Sequence, residues 1–145
     1  MNDTINKFGY PDTVIREYSY WILLFRMKQV TLGSLVCVSK EDVESLSLLP
    51  NHAFLELKKV HYDVEKVLKT NFNYDKINYL TLMMVDRHVH FHIIPRYKEY
   101  RVVSGCRFED VFWPGPPDVT TSIDMNKQFV DNLILLLKSE FIKYS

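Results

Sequence analysis

Asp86-Arg87-His88-Val89-His90-Phe91-His92-Ile93-Ile94-Pro95-Arg96 gathers three of the chain's five histidines into five positions. Strict alternation through β-branched and aromatic residues predicts a strand, whose side chains point to opposite faces with a period of two. His88, His90 and His92 then share one face. Val89, Phe91 and Ile93 share the other, and an apolar row of that kind belongs against a core. Pro95 has no amide hydrogen for a ladder, so the strand is expected to end near Ile94.

Three imidazoles in register admit three readings. They are satisfied polar residues on a half-polar strand, ligands of a metal, or a device for nucleophilic and phosphate chemistry. Neighbours on one face lie ~6.8 Å apart and the outer pair ~13 Å. Zinc holds nitrogens at roughly 2.0–2.1 Å, so two adjacent histidines can reach one ion and three from one straight strand cannot. The remaining histidines, His52 and His61, fall in a helical pattern, and His61 reads as packed on or near its apolar stripe. Phosphate chemistry suits the row better. A neutral imidazole is a good nucleophile near pH 7, and its neighbours can hydrogen-bond the oxygens of a phosphorus centre and move protons.

His88-Val-His90-Phe-His92-Ile-Ile followed by Pro95-Arg96 resembles the His-φ-His-φ-His-φ-φ signature of the histidine triad (HIT) superfamily of nucleotide hydrolases and transferases. The resemblance extends upstream through Tyr20 to Ser39 and the helix after it, and weakens beyond Tyr100. It implies an α+β fold with about five antiparallel strands and two principal helices. It further implies a purine nucleotide or dinucleotide substrate, no cofactor and no metal, and commonly a homodimer. By the same resemblance His90 is the nucleophile, His92 binds the phosphate and assists the leaving group, and His88 orients the nucleophile. Two departures stand out. Many members carry a fourth histidine after the glycine where this chain has Ser34, and the turn before the triad, often longer and Gly/Ser/Gln-bearing, is reduced to Val85-Asp86-Arg87. Ser34, whose hydroxyl still donates one hydrogen bond, Arg96 with its fork at the triad's exit, and Asp86 in the turn beside the triad are the expected substrate-binding residues. Two other functions stay open: a nucleotide-binding module with little turnover, and a metal-binding protein using two of the histidines.

Composition bounds the alternatives. A chain of 145 residues that is 47% hydrophobic has material for one core, and residues 1–145 are read as a single domain. Its net charge of zero argues against broad electrostatic attraction to nucleic acid or to a membrane surface. No apolar run approaches the ~20 residues of a membrane span, the N-terminus lacks a signal-peptide pattern, and two cysteines without metal or redox spacing suit a reducing, cytoplasmic setting.

Along the rest of the chain, Met1 to Arg16 reads as polar and loop-like, with a turn at Gly9-Tyr10-Pro11-Asp12. Tyr18 to Phe25 and Gly33 to Val38 read as strands of a hairpin with a long connection. Ser39-Lys-Glu-Asp42 has the capping-box form and predicts a short helix through about Leu48. Asn51 is a candidate cap for an amphipathic helix from His52 to about Thr70. Asp75 to Val85 reads as a third strand, with Met83 and Met84 as core filler, joined by the Asp86-Arg87 turn to the histidine strand. The core spans about 18–100. An added strand is expected at Arg101 to Val103, and Arg101, like Arg96, offers a fork for distal phosphates or else a solvated surface. A rigid loop at 113–117 follows, whose Trp113 is read as loop packing or a stacking platform. A second capping box, Thr121-Ser-Ile-Asp124, heads a helix at about 122–144 whose wide apolar stripe predicts a contact beyond the sheet.

Overall fold

The computed structural model describes residues 1–144. Its elements, in order, are α1 (Asp3–Lys7), β1 (Val14–Glu17), β2 (Trp21–Phe25), β3 (Leu35–Ser39), α2 (Asn51–Phe72), β4 (Lys76–Leu80), β5 (His90–Arg96), β6 (Arg101–Val103), β7 (Cys106–Phe108) and α3 (Lys127–Ile142). The main sheet has five strands in the order β1-β2-β3-β5-β4, all neighbours antiparallel, and β6 and β7 pair separately. With two long helices this is the α+β architecture expected from the pattern.

Strands β2 and β3, Trp-Ile-Leu-Leu-Phe and Leu-Val-Cys-Val-Ser, are buried at every position. Continuous burial means that both faces of the sheet centre are covered. One face carries Trp21, Leu23, Phe25, Leu35, Cys37, Val89 and Ile93 against α2 and α3, forming the main core. The other carries Ile22, Leu24, Val36 and Val38, and the N-terminal segment covers it with Ile5, Phe8, Tyr10 and Val14. Helix α2 buries Leu57, Val60, Val64, Val67 and Leu68, a spacing of three and four that keeps one stripe on the sheet. Its buried Asp63 accepts hydrogen bonds from Tyr18 Oη at 2.8 Å, Lys59 Nζ at 2.7 Å and Arg16 Nη1 at 3.3 Å, which lock α2 to the start of the sheet. Burial, and then that carboxylate, push the Tyr18 hydroxyl well above its ordinary range.

Several local expectations give way to tertiary contacts. The N-terminal segment is α1 and β1 rather than loop, and Asn2 caps α1 by accepting from the Ile5 amide. The stretch after Ser39 is not helical apart from a 3₁₀ turn at Leu46–Leu48, because Ser39 Oγ accepts from Glu41 N and Asp42 points to a distant histidine. Pro50, not Asn51, is the N-cap of α2, and Asn126, not Thr121, caps α3, which therefore starts at Lys127. Strand β4 ends at Leu80, opposite His92, so residues 81–89 form a long connection instead of a tight turn. Met84 on that connection is 82% exposed and fills no core. Strand β5 continues through Pro95 to Arg96, because Pro95 lies past the last pairing with β3, Leu35 opposite Ile93, where no ladder bond is asked of it. Among the described residues no helix is long and apolar enough to cross a membrane.

Candidate active site

Regular pairing begins at His90, yet His88 is held as firmly as its neighbours. Thr4 of α1 accepts a hydrogen bond from the His88 amide at 3.3 Å, and its Oγ1 lies 2.9 Å from His88 Nδ1. On the other side His88 Nε2 lies 2.6 Å from the Asp42 carboxylate. A carboxylate only accepts, so Nε2 carries the proton and Nδ1 takes the Thr4 hydroxyl hydrogen, an assignment fixed by the partners.

His90 is fully buried and its Nδ1 lies 2.6 Å from the carbonyl oxygen of His88. A carbonyl likewise only accepts. Nδ1–H therefore donates, and the lone pair of the neutral ring sits on Nε2, a buried atom without a protein partner. The His92 ring packs nearly perpendicular to that of His90, centroids 5.0 Å apart, and Phe8 closes over both at 5.9 and 5.7 Å. His92 Nδ1 accepts from Arg26 Nε at 3.4 Å. Burial, helped by the charge on Arg26 and by His90, pushes the His92 pKa down to about 4, so its ring is neutral at physiological pH.

Beside His92 lies a cavity of about 660 Å³. Its walls come from Lys7, Phe8 and Gly9 of the N-terminal segment, Arg26 to Lys28 after β2, Leu82, Met84, Val85 and Asp86 of the long connection, and Val119 and Thr120. Asp86 is joined to Lys7 Nζ on this wall. The three triad histidines and Asp86 are thus brought together. Among the described residues no group of three or more histidine, cysteine, aspartate or glutamate side chains converges as a metal site.

Ser34 and Arg96 go elsewhere. Ser34 is wholly buried, its hydroxyl donating to Thr31 O at 2.8 Å and accepting from Thr31 N at 3.0 Å within the β2–β3 connection. Gly33 beside it has φ +86°, and a Cβ there would meet the Phe72 ring at 3.0 Å. Arg96 forks onto both oxygens of buried Asp110 at 2.7 and 3.2 Å and onto Asn78 Oδ1 at 2.9 Å. Neither lines the cavity. Arg101 turns back to the end of α2, donating to Phe72 O and Asn73 O, and Trp113 does not reach the cavity either. His61 packs half-buried on Tyr79, centroids 4.3 Å apart, in the structural role read for it.

Thr4, Lys7, Phe8, Arg26 and Asp42 also meet at the site, none of them marked as a site residue by a motif. Arg26 carried the best available signal, a lone cation directly after a fully apolar strand. Thr4, Phe8 and Asp42 reach the site only through contacts across 46 or more positions, to which no local pattern points.

Residues 9–99 match the family model of the HIT domain, and the chain belongs to that family. The fold agrees. A histidine triad protein from Sinorhizobium meliloti superposes with a TM-score of 0.74 at 17% identity, over 97% of this chain and 95% of that one. One from Bradyrhizobium japonicum gives 0.73 at 19% identity, over 97% and 96%. A hypothetical histidine triad nucleotide-binding protein from Sulfolobus tokodaii gives 0.69 at 19% identity, over 97% and 90%. No curated protein sequence matches this one.

Proposed function

We propose that this protein is a nucleotide hydrolase or nucleotidyl transferase that cleaves the α-phosphate bond of a nucleoside monophosphate joined to a leaving group, as in a dinucleoside polyphosphate or a nucleoside phosphoramidate. The observation that carries the reading is the His90 ring, with Nδ1–H tied to the His88 carbonyl and the Nε2 lone pair unpartnered. Nε2 attacks the α-phosphorus, the bond to the leaving oxygen or nitrogen breaks with its electron pair, and a nucleotidyl-histidine results. Water or another acceptor then attacks the same phosphorus and returns the pair to Nε2. His92 donates to the phosphoryl oxygens and to the leaving group as charge builds there, and His88 presents the carbonyl that orients the nucleophile. His90 has no exposed surface, whereas His92 opens on the cavity, so the phosphate approaches from the His92 side with the Phe8 ring displaced. The description of the Sulfolobus relative as nucleotide-binding supports the substrate class. Exposed Leu135, Leu136 and Ile142 on α3 support the homodimer in this reading.

The test is release of AMP from adenosine phosphoramidate and from a diadenosine polyphosphate, with EDTA present. Wild-type protein is expected to release AMP, and His90→Ala to lose more than the 10²–10⁴-fold typical of one proton-transfer group. Comparable mild losses at His88, His90 and His92 would overturn these roles. AMP binding without release from either substrate would favour a binding module, and activity abolished by EDTA a metal site.

A further inference from the structure

Two arginines of the described chain are buried, Arg26 and Arg96. Arg96 has its carboxylate. Arg26, 7% exposed, has only neutral partners: the carbonyl of Lys28, the carbonyl of Val119 at 2.9 Å, and His92 Nδ1 at 3.4 Å. Its backbone is itself fixed, since Gln29 Nε2 donates to both Arg26 O and Ser34 O, and the Arg26 amide donates to Ser34 O. Burying a guanidinium with no carboxylate within hydrogen-bonding reach is unfavourable, and here burial lowers its pKa from the ordinary value against the opposing pull of the Asp86 carboxylate. A position held at that cost on the cavity wall calls for a use.

Guanidinium has five N–H groups and no acceptor, and it does not give up its proton at any ordinary pH. Whatever nitrogen it faces on His92 must therefore offer a lone pair. That nitrogen is Nδ1, so the ring's single proton is confined to Nε2. We infer that Arg26 is a positioning residue acting through His92, holding the ring as a neutral Nε2–H donor, so that this histidine stabilises the phosphoryl group by a directed hydrogen bond and not by carrying charge. The Lys28 and Val119 carbonyls hold the guanidinium plane against rotation, which makes the orientation a property of the fold before any substrate arrives. Charged and titratable groups face His92 from every side. Arg26 after β2, His90 on β5 and Lys7 of α1 disfavour its imidazolium, while Asp86 of the long connection favours it. Arg26 is the one among them within hydrogen-bonding distance of the ring.

Only the kinetic arm of the test rests on the proposed phosphoryl chemistry. Nitrogen-15 spectra of the histidine rings in the full chain, with His92 assigned by the His92→Gln variant, are expected to show Nδ1 bare and Nε2 protonated, with a titration near pH 4. In Arg26→Gln the midpoint moves up toward the ordinary imidazole range and both tautomers become populated. Arg26→Lys keeps the charge without the fork, so the midpoint stays low while the tautomer preference weakens. In the AMP-release assay Arg26→Gln should lower kcat about 10²-fold, the low end for a positioned proton donor, with a smaller change in KM. Arg26→Lys should recover part of that loss. A wild-type ring protonated on Nδ1 would overturn the inference without any variant, and so would an unmoved midpoint and tautomer in Arg26→Gln. If that variant does not fold, the wild-type tautomer and the low midpoint of Arg26→Lys decide. Correct spectra with no turnover of any nucleotide would leave Arg26 in its place and reject the proposed reaction instead.

Discussion

Arg26 and Arg96 stand near strand ends of the same sheet, both hidden from water, and they differ in what closes them. Arg96 spends its fork on the two Asp110 oxygens, with Asn78 and the Gly115 carbonyl taking further bonds. Asp110 in turn accepts from the amides of Tyr97 and Phe112, so that one ion pair stitches β5 to the loop of residues 109–117. Arg26 is closed by two carbonyls and an imidazole, while the carboxylate that acts on it across the cavity, Asp86, is bonded to Lys7 instead. A guanidinium bonded to a carboxylate ties two segments of the fold together; one whose hydrogen-bond partners are all neutral fixes which nitrogen of the facing imidazole is bare. Sequence alone ranks the two the other way, because Arg96 trails the triad and Arg26 follows an apolar strand.

The largest effect expected from this contrast is at the closed pair. Asp110→Ala leaves the Arg96 charge buried and alone, and should cost about 3–5 kcal/mol in chemical denaturation, whereas an Arg96→Met, Asp110→Leu double variant should regain most of it. A cost below about 1 kcal/mol would break the comparison. Next comes acid. The folded-state pKa of His92 lies near 4, below its ordinary 6.5, so the folded protein binds fewer protons than the unfolded chain between those values. Stability present above pH 6.5 should thus be lost as pH falls toward 4, and His92→Gln should flatten that part of the profile. An unchanged slope would mean that neither burial nor the Arg26 charge holds the ring's pKa down in the folded protein. The smallest effect belongs to Asp42, whose carboxylate meets His88 at 2.6 Å but is 85% exposed. Asp42→Asn should change stability by no more than about 1 kcal/mol, because water and salt screen an exposed partner. A larger loss would show that the charge of a partner counts more than its burial.

The central sheet and the triad were legible because their signals are periodic. Val89, Phe91 and Ile93 do pack on the main core, and the histidines do share the opposite side. What failed was local grammar overruled from a distance. Asp42 fits a capping box and instead serves His88, and Leu82 and Met84 continue a strand-like alternation after the chain has left the sheet at Leu80. Ile5 and Phe8 are single apolar residues among polar ones, too few for a period, yet Ile5 is fully buried and Phe8 covers two histidines. Ser34 was placed by analogy with a histidine, but a hydroxyl is short enough to bond its own turn and never leaves it.

The bonds from Thr4 to His88 give the first residues of this chain an importance for anyone handling the protein. Ile5 is sealed in the core and Thr4 is 2% exposed, so a fusion partner or affinity tag joined just ahead of them pulls on the same short helix that steadies the triad. The sheet and the two long helices do not depend on that helix's bond to the triad, so what such a tag disturbs first is the support under His88. Purification handles belong at the other end, and rates measured with an N-terminal tag should be repeated after its removal.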